Sequence, residues 1–309
     1  MPCPLGGLQI IAAGGMDDDA AFIEQCRAAV ERRLAELTPD RAERPRRLAE
    51  AARYALLSPG KRFRPMLTLL AAREFGADPA LALDAACAFE MVHAASLILD
   101  DLPCMDDANL RRGRNTTHRE FDDATAILAS VGLLNRAFGV LAEDDGLSDA
   151  VKREISRRLS DSVGFHGLVA GQAMDLEDRS RERSPADLEL LNHRKTGVLM
   201  VAAAEAGALI AGASEAAVDD VGEFARHLGL AFQIHDDILD VEGGADLGKD
   251  LGKDAGMTTV VSALGLDGAR AARDSHLQSA QAALVKAGAG QGLLAGYILA
   301  LFEARKAAA

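Results

Sequence analysis

Apolar residues recur along this chain at helical spacing and nowhere alternate with polar ones over a sustained run, so the pattern predicts helices throughout rather than a sheet. Asp17-Asp18-Asp19 suits the positive N-terminal end of a helix running to about residue 37. A second helix spans about 42–57 and stops at Ser58-Pro59-Gly60, Pro65 fits a first helical turn, and Asp78-Pro79 opens an apolar helix that reaches Asp100. Amphipathic helices are expected at 122–143 and 148–164, then a small-residue helix around 167–176 and a charged loop at 177–185. Lys195-Thr196-Gly197 opens a Gly/Ala-rich buried helix, which carries Glu205 and reads as core rather than a membrane span. Helices at about 215–241, 268–286 and 292–306 finish the chain, with a Gly-, Asp- and Lys-rich loop at 242–256.

Carboxylates break this apolar pattern twice. Asp100-Asp101-Leu102-Pro103-Cys104-Met105-Asp106-Asp107 ends one apolar run, and Asp236-Asp237-Ile238-Leu239-Asp240 lies inside another. Desolvating an unpaired ion costs several kcal/mol or more, so such residues need partners. Either cluster alone also reads as a solvated helix face. Two together point to a hard divalent cation, because oxygen-only ligation completed by phosphate and water describes Mg2+ better than zinc or iron. Asp100 and Asp106 are six apart, about 240° round an unbroken helix, so a shared metal requires the helix to break. Pro103 supplies a reason. Gln233, Asp236, Asp237 and Asp240 form a stripe of roughly 100° on their own helix, a polar face aimed inward.

The formal charge of −13 argues against nucleic acid as a partner, so clustered cations are informative. Lys61, Arg62 and Arg64 surround Phe63 at a loop and helix N-terminus, which favours an anion. Leu110-Arg111-Arg112-Gly113 is a second cluster, on an expected loop, whose adjacent Arg side chains diverge towards different phosphates. His93 and Ser96 share a helix face with Asp100, although a lone His on an apolar helix is also a common core residue. The four Cys stand far apart with no metal-ligand spacing, which indicates a reducing cytoplasm. Residues 1–15 lack the basic region of a signal peptide and read as a flexible tail before one all-helical domain at 16–309.

Gly60-Lys61-Arg62-Phe63-Arg64-Pro65, Glu90-Met91-Val92-His93, Asp100 to Asp107 with Leu110-Arg111-Arg112-Gly113, Gly171-Gln172 with Asp175, Lys195-Thr196-Gly197, Phe232-Gln233-Ile234-His235-Asp236-Asp237-Ile238-Leu239-Asp240 and Leu247-Gly248-Lys249 together resemble the trans-isoprenyl diphosphate synthases, in the order expected over 46–265. The first acidic motif looks most like that of bacterial geranylgeranyl diphosphate synthases. The resemblance implies an all-α helical bundle around a deep central cavity, a homodimer, and three Mg2+ ions with substrate bound, for which Mn2+ substitutes. It implies catalytic roles for Asp100, Asp101, Asp106, Asp236, Asp237, Asp240 and Lys195, with Asp100, Asp106 and Asp236 ligating metal. Lys61, Arg64, His93 and Arg112 would hold isopentenyl diphosphate, and Arg111, Lys195, Thr196, Gln233 and Lys249 the allylic diphosphate. Where the family usually places a Lys, this chain has Met257, and Lys253 is the nearest replacement.

Ala95 and Ser96 stand where the family places bulky aromatics to stop growth at fifteen carbons, so these small residues imply a longer product, with twenty carbons expected and fifteen or twenty-five as alternatives. A terpene cyclase would need aromatic faces to steer cations, and this chain has no Trp and 4% aromatic residues. A noncatalytic regulatory subunit would have lost a carboxylate cluster or its cations, and a calcium-binding structural protein leaves the Lys and Arg residues unexplained. The expected partners are small prenyl diphosphates, without nucleic acid or stable membrane insertion.

Overall fold

The computed structural model describes residues 16–40, 42–177, 183–242, 259–290 and 292–307. They form helices α1 (Met16–Leu37), α2 (Arg46–Leu56), α3 (Phe63–Glu74), α4 (Leu83–Asp100), α5 (Thr117–Glu120), α6 (Asp123–Glu143), α7 (Asp149–Val163), α8 (Leu168–Glu177), α9 (Pro185–Asn192), α10 (Val198–Ile210), α11 (Glu215–Glu242), α12 (Val260–Lys286) and α13 (Leu293–Ala307). The fold is the all-α bundle expected. Residues 1–15, Lys249, Lys253 and Met257 lie outside the described residues.

Side-chain caps set several of the helix starts. Asp122 Oδ1 accepts from Thr125 N at 2.7 Å to begin α6, and the Ser148 side chain accepts from Val151 N to begin α7. Reciprocal capping boxes start α9 at Ser184 with Asp187 and α12 at Thr259 with Ser262. Helix α9 occupies ground where the periodicity predicted no helix, because it is only eight residues long and its apolar face is short. Helix α12 begins at Val260, ahead of the expected 268, since Gly265 (φ +72°) interrupts its regular geometry and hides the first turns from a periodicity argument.

The one sheet among the described residues is a hairpin of β1 (Leu110–Arg111) and β2 (Arg114–Asn115), with Leu110 opposite Asn115 and Arg111 opposite Arg114. Its two turn residues, Arg112 (φ +55°) and Gly113 (φ +72°), both take the left-handed conformation that two-residue hairpins require. The expected loop is therefore a defined ribbon.

Helix α4 runs through the interior. It is mostly apolar, with Asp84, Glu90, His93 and Ser96 as the polar exceptions before Asp100, and Cys87, Phe89 and Met91 are fully buried, as expected of a helix enclosed by others. Helices α3 and α10 pack beside it so closely that Gly207 faces the Thr68 carbonyl and the Ala71 and Ala72 region with no room for a side chain. A small second core of Leu188, Ile234, Ile238, Val260, Val261 and Ala269 joins α9, α11 and α12. That cluster fixes the rotation of α11 and hence of its acidic face. Gly207→Ala is expected to lower stability by about 1–3 kcal/mol, the range for overpacking a tight interface, measured as a shift in the urea midpoint at unchanged slope.

Candidate active site

The apolar run of α4 ends at Asp100, and Pro103 prevents its continuation. The chain turns back on itself: Asp106 N–H donates to the Asp100 carbonyl at 2.9 Å, Asp107 N–H to Leu102 at 3.0 Å, and Ala108 N–H to Asp101 at 3.1 Å. Asp107 takes a left-handed conformation (φ +46°) in this turn. The break predicted from the six-residue spacing is present, and it brings Asp106 close enough for its charge to act on Asp100. Burial, with Asp106 adding to it and Lys195 and Arg111 opposing it, raises the Asp100 pKa above the ordinary carboxylate value.

Lys195 is the cation facing Asp100. Its Nζ lies 3.3 Å from Asp100 Oδ1 and donates to Asp175 Oδ2 at 2.8 Å. Burial works against its charge, yet Asp100 and Asp175 together hold its pKa above the usual lysine value. Lys195 and the half-buried Thr196 sit on a π-helical turn, His193–Gly197, between α9 and α10. That turn presses on α8 at Gly171, where a β-carbon would come within 2.6 Å of the Lys195 amide nitrogen.

Asp101 has a different task. Its buried carboxylate accepts from Arg111 Nε at 2.8 and 2.9 Å and lies 2.6 Å from Arg111 Nη2, which ties the hairpin to the end of α4. Arg112, in the left-handed turn that follows β1, leaves Arg111 and donates to the Pro59 carbonyl at 3.1 Å. A β-carbon on Gly60 would come within 2.5 Å of Arg112 Nη1. The divergence of the two Arg side chains expected from the sequence is present.

These contacts line a cleft bordered by Arg62, Glu90, His93, Asp101, Arg111 and Arg112. His93 is half-buried, and desolvation, reinforced by Arg64, Arg112, Arg111 and Arg62, keeps its pKa well below the normal histidine value, so its imidazole is neutral. Arg64 is desolvated and shares the charge of Glu90 and Arg112; its pKa is lowered to about 10, still far above neutrality. Lys61 is exposed at the rim of α3. Ala95 is buried against α6, where Ser130 Oγ donates to its carbonyl at 2.9 Å, whereas Ser96 is half-buried and its Oγ donates to the His93 carbonyl at 2.9 Å.

On α11, Gln233 Nε2 donates to Asp237 Oδ1 at 3.2 Å, and Val260 N–H donates to Asp237 Oδ2 at 3.1 Å. Asp237 therefore anchors the start of α12. Burial pushes its pKa up to about 6, against these hydrogen bonds and with the charges of Asp236 and Asp240 adding to it. Asp236 is half-buried and Asp240 exposed on the same stripe. Among the described residues no three His, Cys, Asp or Glu side chains converge closely enough to form a metal cage. The donors are nevertheless carboxylate oxygens in two separate groups, and Asp100 Oδ1 is buried with an ion contact but no hydrogen bond. Such a donor set fits Mg2+, which retains water and takes substrate phosphate oxygens rather than a complete protein cage.

Residues 45–286 match the polyprenyl synthetase family. A geranylgeranyl diphosphate synthase of Pantoea ananas is 46% identical over 264 residues, 85% of this chain and 86% of that protein. A farnesyl diphosphate synthase of Geobacillus stearothermophilus is 42% identical over 289 residues, 92% of this chain and 97% of that protein. The chain belongs to the polyprenyl synthetase family. It is a prenyltransferase, a trans-prenyl diphosphate synthase with the helical isoprenoid synthase fold. A solved geranyltransferase of Helicobacter pylori, complexed with magnesium and isoprenyl diphosphate, superposes with a TM-score of 0.82 at 27% identity, covering 95% of this chain and 99% of that one.

Within this prenyl synthase the structure brings Asp100, Asp106 and Lys195 together and gathers Arg64, His93 and Arg112 into one neighbourhood. Asp101 and Arg111 lie beside them but are committed to tying the hairpin to the end of α4, while Asp237 on α11 holds the start of α12. Sequence reasoning quoted Asp175 and Glu90 without giving them a task and named Arg62 only as part of the basic cluster. A lone carboxylate in a small-residue helix, as at Asp175, was the available signal; its lysine partner is twenty positions away and visible only in three dimensions. Gly171→Ala displaces the Lys195 backbone, and a misplacement of about 1 Å at a reacting group costs on the order of 100-fold. Steady-state turnover should fall by that order while the far-ultraviolet circular dichroism stays helical; unchanged turnover would remove Lys195 from the machinery.

Proposed function

We propose that the protein condenses isopentenyl diphosphate with allylic diphosphates by ionisation, condensation and elimination, and that its main product is geranylgeranyl diphosphate. The observation that carries this reading is the pairing of Asp100 with Lys195 at the end of α4, next to a cleft lined by His93, Arg111 and Arg112. One set of cations serves each of two diphosphates. Lys61, Arg64, His93 and Arg112 take isopentenyl diphosphate, the neutral imidazole contributing a hydrogen bond and the guanidiniums paired bonds to phosphate oxygens. Lys195, Thr196, Gln233 and Arg111, the last oriented by Asp101, take the allylic diphosphate, with Lys249 assigned beside them on the resemblance.

Asp100, Asp106 and Asp236 hold Mg2+, with Asp101, Asp237 and Asp240 in support. The metal, three ions with substrate bound and replaceable by Mn2+, supplies Lewis-acid stabilisation of the charge that develops on the departing diphosphate. Lys195 adds a fixed positive charge at the same place and needs no reorganisation to do so. The double bond of isopentenyl diphosphate, held by the Arg64 and Arg112 side, then attacks the allylic carbon in a water-poor site. The proton lost at the end goes to the released diphosphate, so no protein base is assigned.

The chain is proposed to act in the cytoplasm as a homodimer. Helices Pro79–Asp100 and Asp123–Glu143 are long and apolar enough to cross a membrane by length and composition. The first is mostly enclosed by the bundle, whereas α6 exposes Ile127 (43%), Leu128 (58%) and Val131 (57%) along one side. That side supports a face shared between two copies.

Purified protein with Mg2+, isopentenyl diphosphate and dimethylallyl, geranyl or farnesyl diphosphate should yield mainly a C20 product by chain-length chromatography. Removal of Mg2+ by chelation, Asp100→Ala and Asp236→Ala should each lower turnover by roughly 10²–10³-fold or more, the scale for losing one preorganised stabiliser of developing charge. A dominant C15 or C25 product would overturn the assigned length, and absence of turnover from folded protein would overturn the activity. Ser96→Phe places an aromatic ring one turn before Asp100 and should move the product towards C15. An unchanged product distribution would show that the floor of the chain-growth space lies elsewhere.

A further inference from the structure

Arg62 lies between the two residues assigned to substrate in the first basic motif, yet its side chain turns away from solvent and is 3% exposed as a residue. Four of its five N–H bonds are accounted for. Nε donates to Glu31 Oε1 of α1 at 2.7 Å and Nη2 to Glu31 Oε2 at 3.1 Å; Nη1 donates to Glu90 Oε1 of α4 at 2.9 Å, and Nη2 also to the Ser58 carbonyl after α2 at 2.8 Å. Its own carbonyl accepts Met66 N–H at 3.0 Å, the first helical bond of α3. Arg62 thus ties α1, α4 and the segment after α2 to the start of α3. Its backbone is left-handed (φ +47°), a conformation that favours glycine. The side-chain bonds hold a non-glycine residue there.

Glu90 is equally buried, 3% exposed, and is the carboxylate whose charge reaches Arg62, Arg64 and Arg112 together. In the absence of a diphosphate these three cations would otherwise repel one another in a desolvated space. Arg112 closes the same unit from the hairpin side by donating to Pro59, at the start of the loop that Arg62 anchors.

We propose that Arg62 and Glu90 are positioning residues for isopentenyl diphosphate: their buried ion pair holds the 58–64 loop and the Arg64 and Arg112 guanidiniums in their binding arrangement before that substrate arrives. Both border the cleft, and the role proposed for them runs through their contacts with each other, Glu31 and Ser58 rather than through contact with the substrate. The pair acts on one of the two diphosphates, because Lys195 is held by Asp175 of α8 and by Asp100 at the end of α4, whereas Arg62 is held by Glu31 of α1 and by Glu90, ten residues earlier on α4. This inference rests on the substrate assignment proposed above.

Binding decides it without requiring turnover. Isothermal titration with isopentenyl diphosphate and, separately, with a non-ionisable thio analogue of the allylic diphosphate plus Mg2+ is run on wild type, Arg62→Met, Glu90→Leu and the double variant, each with its melting temperature. Removing one partner strands a buried charge and lowers the melting temperature, whereas removing both relieves that burden. The expected result is a double variant that regains most of the melting temperature but binds isopentenyl diphosphate at least tenfold more weakly than wild type, with allylic-analogue affinity within about threefold. A double variant that recovers both stability and isopentenyl diphosphate affinity would show a merely structural pair and overturn the proposal. Equal weakening of both ligands would overturn it as well. Wild type that binds neither diphosphate would instead bring down the substrate assignment itself, and the inference with it.

Discussion

Charge held away from water is the constraint on which this molecule depends. An unpaired ion in the interior costs several kcal/mol even after relaxation, and the described residues place Arg62, Glu90, Asp101 and Asp175 deep in the bundle. Each is met by an opposite charge: Arg62 by Glu90 and Glu31, Asp101 by Arg111, Asp175 by Lys195. These pairs sit at helix ends and crossings, so satisfying them also sets the relative positions of α1, α3, α4 and α8 and of the hairpin. The architecture of the bundle and the electrostatics of the site are therefore one problem with one solution.

The same pairs prepare the site for anions. Lys195 stays charged in a desolvated place because two carboxylates face it, and His93 stays neutral because burial disfavours its charge and the surrounding Arg side chains add to that. On the proposed function, a diphosphate bound with Mg2+ would take over the neutralising role from the carboxylates. Chemistry that creates negative charge on a leaving diphosphate is favoured by groups already fixed in position, since water would have to reorganise and these groups do not.

Backbone geometry converts a linear motif into this arrangement. The turn from Asp100 to Ala108 closes through three backbone hydrogen bonds, and the left-handed Asp107, Arg112 and Gly113 reverse the chain twice within a few residues. Without those reversals Asp106 would lie on the far side of an extended α4, and Arg112 would not reach the 58–64 loop. On α11, Asp237 links Gln233 to the first amide of α12, so the second acidic face is held by the element that follows it.

Much of this was legible in the residues. An apolar period of 3.6, Ser, Thr and Asp at helix starts, and Pro103 after Asp100 are local signals, and they located the long helices and the break in α4. The hairpin at 110–115 was missed because two residues per strand are too few to show alternation, and α9 because two turns leave too small an apolar stripe. The composition of the chemistry, carboxylates with Lys, Arg and His, was also visible in one dimension. The pairings were not. Which carboxylate faces Lys195 and which is tied to Arg111, why Arg62 is internal while Lys61 next to it is exposed, and how Asp175 comes to hold Lys195 depend on contacts between residues from ten to more than thirty positions apart. The sequence alone determined helix content, residue chemistry and family, because these follow from local periodicity and residue type. Only the tertiary structure decided the division of labour among the charges, because a buried ion's role is set by whichever opposite charge the packing brings within a few ångströms.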